Sequence, residues 1–135
     1  MVTSSRAAQA YRRVESESRL PLELVVMLYD GALRFLVEAG EAHARKDLRA
    51  RGKAISRVLA IMSELQNTLD IEKGGQVADQ LDNLYTYVMS RLIDVTVKQD
   101  VAAIDEVHQL LTPLRDAWGQ IATQPPAAPQ PVAAR

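Results

Sequence analysis

The chain has 135 residues, 47% of them hydrophobic, a formal net charge of −1 and no cysteine. That length suits one domain, and the absence of cysteine excludes a disulfide scaffold, a thiol nucleophile and a Cys-ligated zinc site. The near-neutral charge excludes the basic surplus of a general nucleic-acid binder.

The first residues, Met1-Val2-Thr3-Ser4-Ser5-Arg6, are followed by no apolar run. No stretch approaches the ~18 apolar residues of a membrane span. The expectation is a cytoplasmic protein with no membrane insertion. Residues 1–18 are polar apart from Tyr11 and Val14, an apolar pair three apart. These two belong either to a flexible terminal segment or to a helical turn laid over an apolar surface.

Helix one is predicted from Pro21 to about residues 44–46. Proline suits a first helical position, Glu23 suits the first turn, and Leu20 is a poor cap. The stretch from Leu24 to Leu36 is too apolar for an ordinary surface helix. On a helical wheel Leu24, Leu28, Ala32, Phe35 and Ala39 form one stripe, expected to be core. Leu22, Val26, Leu33 and Val37 form a second, with Tyr29 and Leu36 in the gap. The apolar arc spans about 220°, more than one core needs. Gly31 lies inside the helix and is read as a point of close backbone approach.

Asp47 is the expected cap of helix two, whose Leu48, Ile55, Met62 and Leu69 repeat every seven residues and are joined by Val58, Leu59 and Leu65. Its other face carries Arg49, Lys53, Arg57 and Glu64; with Arg45, Lys46 and Arg51 this makes a basic cluster. The cluster reads as a solvated face or as a docking patch for an acidic partner. Gly74-Gly75 breaks the pattern without resembling a phosphate loop, because no strand precedes it.

Helix three is predicted over residues 76–98, with core positions Val77, Leu81, Leu84, Tyr85, Val88, Leu92 and Val95. Met89, Ile93 and Val97 leave that stripe and curl outward. Asp100 is the expected cap of helix four, whose seam is Ile104, Val107, Leu111, Leu114, Trp118 and Ile121, with a kink expected at Pro113. Of the six prolines, Pro125, Pro126, Pro129 and Pro131 fall in a Pro/Ala tail with nothing to bury. The organisation expected is a segment at 1–18, a bundle at 19–122 and a disordered tail at 123–135. The fold expected is all-α, an antiparallel up-down-up-down four-helix bundle with a short N-terminal helical cap segment.

No catalytic constellation is found. His43 stands beside Arg45, and His108 follows Asp105 by three residues, which is only a fragment of a di-iron motif. Asp79/Asp82 and Asp105/Glu106 lie on polar faces, and Ser56 and Ser63 have no base at a motif spacing. Neither an enzyme nor any metal or cofactor is expected. Two rival readings stand: a histidine phosphotransfer bundle using His108, and a structural homo-oligomer that buries its surplus apolar surface against itself.

Several motifs carry a resemblance. Tyr11-Arg12-Arg13-Val14, then Met27-Leu28-Tyr29-Asp30-Gly31, Leu69-Asp70-Ile71-Glu72-Lys73-Gly74-Gly75, Leu84-Tyr85, Lys98-Gln99-Asp100 and Arg115-Asp116-Ala117-Trp118 occur in that order. Over residues 10–120 the chain resembles the FliS-type flagellin export chaperones. It departs from them in having Leu20 where serine is usual before Pro21, Thr96 where asparagine is common, and Pro113. The resemblance implies a cytoplasmic chaperone for the C-terminal helical segment of flagellin. It prevents early polymerisation and delivers the client to the flagellar type III export gate. The resemblance also implies that Tyr11 and Val14 form a displaceable cap. The expected client groove takes Val26, Tyr29, Leu33 and Val37 from helix one, with Met89 and Ile93 from helix three. A homodimer when free is a further expected partner state.

Overall fold

The computed structural model describes residues 18–123. Tyr11, Val14 and the Pro/Ala tail lie outside the described residues. Four helices follow one another: α1 (Leu22–Ala44), α2 (Leu48–Asn67), α3 (Ile71–Val97) and α4 (Ala102–Ala122). They pack in order around the bundle, α1 on α2, α2 on α3, α3 on α4 and α4 on α1. α1 and α3 therefore lie on one diagonal. The connections are short, so neighbours run antiparallel, as the sequence predicts.

The ends of the helices follow local chemistry. At the start of α1 the Leu24 and Val25 N–H groups bond to the Pro21 carbonyl at 3.0 and 3.1 Å, and no side chain caps the helix. The chain before it is tied across the bundle: Ser18 pairs with Leu69 in an isolated antiparallel bridge, and the Arg19 N–H donates to the Thr68 carbonyl at 2.8 Å. Asp47 caps α2 as predicted, accepting from the Ala50 N–H at 3.0 Å. α3 begins earlier than predicted. Asp70 accepts from the Lys73 N–H at 3.1 Å and starts a helical turn, which Gly75 breaks at φ 58°, ψ −132° before the helix resumes. Only glycine adopts such a conformation without strain.

Asp100 does not cap α4. Its carboxylate is taken by Arg91 at 3.0 Å, and Val101 occupies the cap position with no side-chain bond. α4 runs through Pro113 as one helix, with the proline on the exposed side.

The core is clearest on α2, α3 and α4, where Ile55, Val58, Met62, Leu81, Tyr85, Val88, Leu92, Val107, Leu111 and Trp118 are buried. On α1 the predicted stripe is displaced. The buried line is Leu22, Val25, Tyr29, Ala32, Leu36 and Ala39, whereas Leu24 is 40% exposed and Leu28 and Phe35 are half-buried. The expected core stripe is thus one flank, and the gap between the two stripes is the centre. A 220° apolar arc has no unique midpoint, so hydrophobicity alone could not fix its rotation. Gly31 does mark a close approach: a Cβ there would sit 3.3 Å from Ile61 Cδ1 of α2.

Two polar groups join the helices from inside. The Tyr29 and Tyr85 hydroxyls meet at 2.6 Å across the diagonal, with the Trp118 ring 6.4 Å from that of Tyr29. Burial pushes the Tyr29 phenol up to about 12, against the opposing pull of its bonds to Tyr85 and Trp118. At the far end Arg51 is 4% exposed. It bonds to His43 Nδ1 (3.2 Å), the Val95 carbonyl (3.4 Å) and Gln99 Oε1 (3.0 Å). None of these partners is a carboxylate. The guanidinium instead lies against the last turns of α1 and α3, whose dipoles are negative there.

Candidate functional site: two apolar seams on the bundle

The predicted groove residues do not come together. Tyr29 is 0% exposed and belongs to the centre of the core, not to any surface. Its place on the wheel, between two apolar stripes, was the signal for this. The others divide between two seams. Val26, Asp30, Leu33 and Val37 recur at helical spacing and share one flank of α1. Asp30 is bonded to Arg115 of α4, through Nε at 2.6 Å and Nη2 at 3.3 Å, so this flank borders α4. Asp82, Thr86, Met89 and Ile93 share one flank of α3 by the same spacing. Gln66 of α2 donates to the Asp82 carbonyl at 3.2 Å and to Thr86 Oγ1 at 2.8 Å, so that flank borders α2. The α1–α4 and α2–α3 seams are opposite edges of the bundle.

Each seam is partly open. Val26 and Leu33 are half-buried and pack on the core, and Val37 is 48% exposed. On the other seam Met89 is half-buried, while Ile93 is 49% and Val97 72% exposed. α2 adds Leu48, exposed although its heptad position predicts core, with Leu59 and Gly52 on the same flank. A Cβ built on Gly52 meets nothing within 4 Å, so this edge of α2 is low and open.

Sequence reasoning missed two polar sites. Arg51 was placed in the solvated basic cluster but is buried; its position three residues after Leu48 and four before Ile55 put a cation in the core phase. Arg91 is a hub between α3 and α4, bonded to Glu106 (2.7 Å), Asp94 (2.8 Å) and Asp100 (3.0 Å), while Tyr87 donates to the other Glu106 oxygen. The bonds from Tyr87 and then Arg91 hold the Glu106 carboxyl below the ordinary glutamate range. These contacts close the α3–α4 hairpin.

The geometry offers little for chemistry. Among the described residues no group of His, Asp and Glu side chains is placed to hold a metal, and no helix is long and apolar enough to cross a membrane. His108 is half-buried on α4, with Nδ1 3.5 Å from Thr112 Oγ1 of its own helix.

The described residues thus form a four-helix bundle with apolar side chains open along two opposite seams. The family model described as "Flagellar protein FliS" matches residues 4–125. The flagellar secretion chaperone FliS of Salmonella typhimurium is 39% identical over 126 residues, covering 90% of this chain and 93% of that protein. The flagellar secretion chaperone FliSB of Pseudomonas aeruginosa is 32% identical over 120 residues, covering 86% and 95%. The FliS chaperone of Campylobacter jejuni is 36% identical over 115 residues, covering 85% and 90%. The chain belongs to the FliS family of flagellar secretion chaperones.

Proposed function

We propose that this protein is a cytoplasmic, non-enzymatic export chaperone for flagellin. It holds the client's C-terminal helical segment, prevents premature polymerisation and delivers the client to the flagellar type III export gate. The observation that carries the reading is the pair of open apolar seams on a member of a secretion-chaperone family. A segment that is unstructured when free must bury a large apolar area to offset the cost of its ordering. Because the seams are on opposite edges, the client uses both by wrapping around the bundle. Val26, Leu33 and Val37 take one part of it, and Met89, Ile93 and Val97 another. Methionine adapts its shape to irregular client side chains.

In the free protein the segment carrying Tyr11 and Val14 covers part of this surface and is displaced by the client. Ser18, the first described residue, pairs with Leu69 next to the start of α3. The test is calorimetry with a flagellin C-terminal peptide, on the full chain and on a chain lacking residues 1–17. The expected result is binding with a negative heat-capacity change, tightened by the truncation. No binding overturns the function, and equal affinity removes the cap. Light scattering decides the homodimer: the expected free dimer dissociates on adding peptide, and a dimer that persists supports a structural oligomer.

A further inference from the structure

We propose that the outer face of α2, joined by Arg34 of α1, docks a short acidic helical segment of a partner protein, separately from the apolar seams. Arg49, Lys53 and Arg57 stand at successive four-residue steps on α2 and are exposed. They make a line of cations about 6 Å apart. Opposite Arg57, α1 adds Arg34. Both guanidiniums lie over the Phe35 ring, Arg34 at 5.2 Å and Arg57 at 5.3 Å from its centroid. Stacking on one ring restrains two long side chains in advance, so less freedom is lost when they meet a carboxylate.

Within the described residues Arg34, Arg49, Lys53 and Arg57 are left without a carboxylate partner. Glu64 is the only carboxylate on α2, and Glu38 and Glu41 on α1 border the patch. Asp47 at its end is within 4.0 Å of Arg45. The contrast with the rest of the bundle defines the ligand. Glu23, Asp30, Glu38 and Glu41 outnumber Arg34 on α1, and acids outnumber bases on α3 and α4 as well. A long polyanion crossing the molecule would meet those acidic faces. An anionic lipid surface would attract the same cations, but it would also face Glu38 and Glu41, four and seven residues after Arg34. A helix with carboxylates every four residues matches the cation spacing and stays within the face.

The experiment is a titration of the isotope-labelled full chain with a helical peptide carrying glutamate at every fourth residue. A peptide of equal composition with its glutamates spread around the helix is the control. The expected result is amide shifts centred on Arg34, Arg49, Lys53 and Arg57, with the in-line peptide binding several-fold tighter than the control. Arg49→Glu/Lys53→Glu, which leaves the Phe35 stack intact, weakens binding roughly tenfold. Arg57→Glu does the same in a chain whose helicity is unchanged. Equal affinity for the two peptides, shifts centred elsewhere, or indifference to both reversals overturns the proposal. Displacement of the peptide by phosphatidylglycerol vesicles or by an oligonucleotide overturns it in favour of a lipid or nucleic-acid surface.

Discussion

Alanine at Val37 and at Ile93, singly and together, separates a client that wraps the bundle from one that lies along a single edge. Val37 is 48% and Ile93 49% exposed. Full burial of a side chain of this kind is worth about 1.5–3 kcal/mol. Half of that is already realised in the folded protein, so a client that covers the rest gains about 0.7–1.5 kcal/mol at each site. Alanine retains the Cβ, which reduces the loss on substitution to about 0.5–1 kcal/mol, or roughly two- to fivefold in Kd. The residues stand on opposite seams and share no contact, so their effects add. The double variant therefore binds a flagellin C-terminal peptide roughly five- to thirtyfold more weakly than wild type. The assay is calorimetric titration, with circular dichroism confirming that the helices persist. A full loss from one substitution and none from the other refutes wrapping and assigns the client to one seam. No loss from either refutes the assignment of both seams.

Three further outcomes test the account of the bundle. Tyr29→Phe removes one hydroxyl of the buried pair and lowers stability by about 1–2 kcal/mol in urea unfolding; an unchanged midpoint would show that the bond contributes nothing net. Gly75→Ala costs about 1–3 kcal/mol through backbone strain alone, because the new methyl meets no atom within 4 Å, whereas Lys46→Gly, relieving φ 63° at the end of α1, raises stability by up to about 1 kcal/mol. The two thermal shifts should have opposite signs. The Glu106 carboxyl is held low by Tyr87 and Arg91, so its contribution is complete above the ordinary glutamate range and is lost as pH falls through that range toward the lowered value. The thermal midpoint of Glu106→Gln should therefore trail wild type at neutral pH and converge with it in acid; a gap independent of pH would rule out the linkage.

What could be read in advance depended on the width of each apolar stripe. On α3 and α4 the predicted core positions Tyr85, Val88, Leu92, Val107 and Trp118 are buried, while Val77, Leu84, Leu114 and Ile121 at the edges of the stripes are half-buried. α1 is apolar over too much of its circumference for a hydrophobic pattern to orient it. Tyr29 was therefore placed at the surface and Leu24 in the core, the reverse of what the bundle adopts. Spacing along one helix revealed the flanks, but only the partners of Asp30 and of Thr86 show which neighbour each flank borders. That long-range knowledge divides the expected single groove into two seams. Arg51 and Asp100 show a related limit. The sequence pattern puts one in solvent and the other at a cap, whereas Arg51 is held by Gln99, 48 residues further on, and Asp100 by Arg91 of the preceding helix, nine residues back.

The hydroxyl contact between Tyr29 and Tyr85 has a mechanical consequence for the proposed holding and release of a long client. Apolar contacts between helices are forgiving, and a bundle held by them alone can slide by part of a turn while keeping most of its buried area. A single polar contact between diagonal helices tolerates no such slippage, because a displacement of even an ångström or two leaves a phenol without its partner in a dry interior. The pair thus acts as a dowel pinning the α1–α2 hairpin to the α3–α4 hairpin. The two outer edges keep a constant separation and phase, so a strap of client fitted to one edge arrives at the other in step.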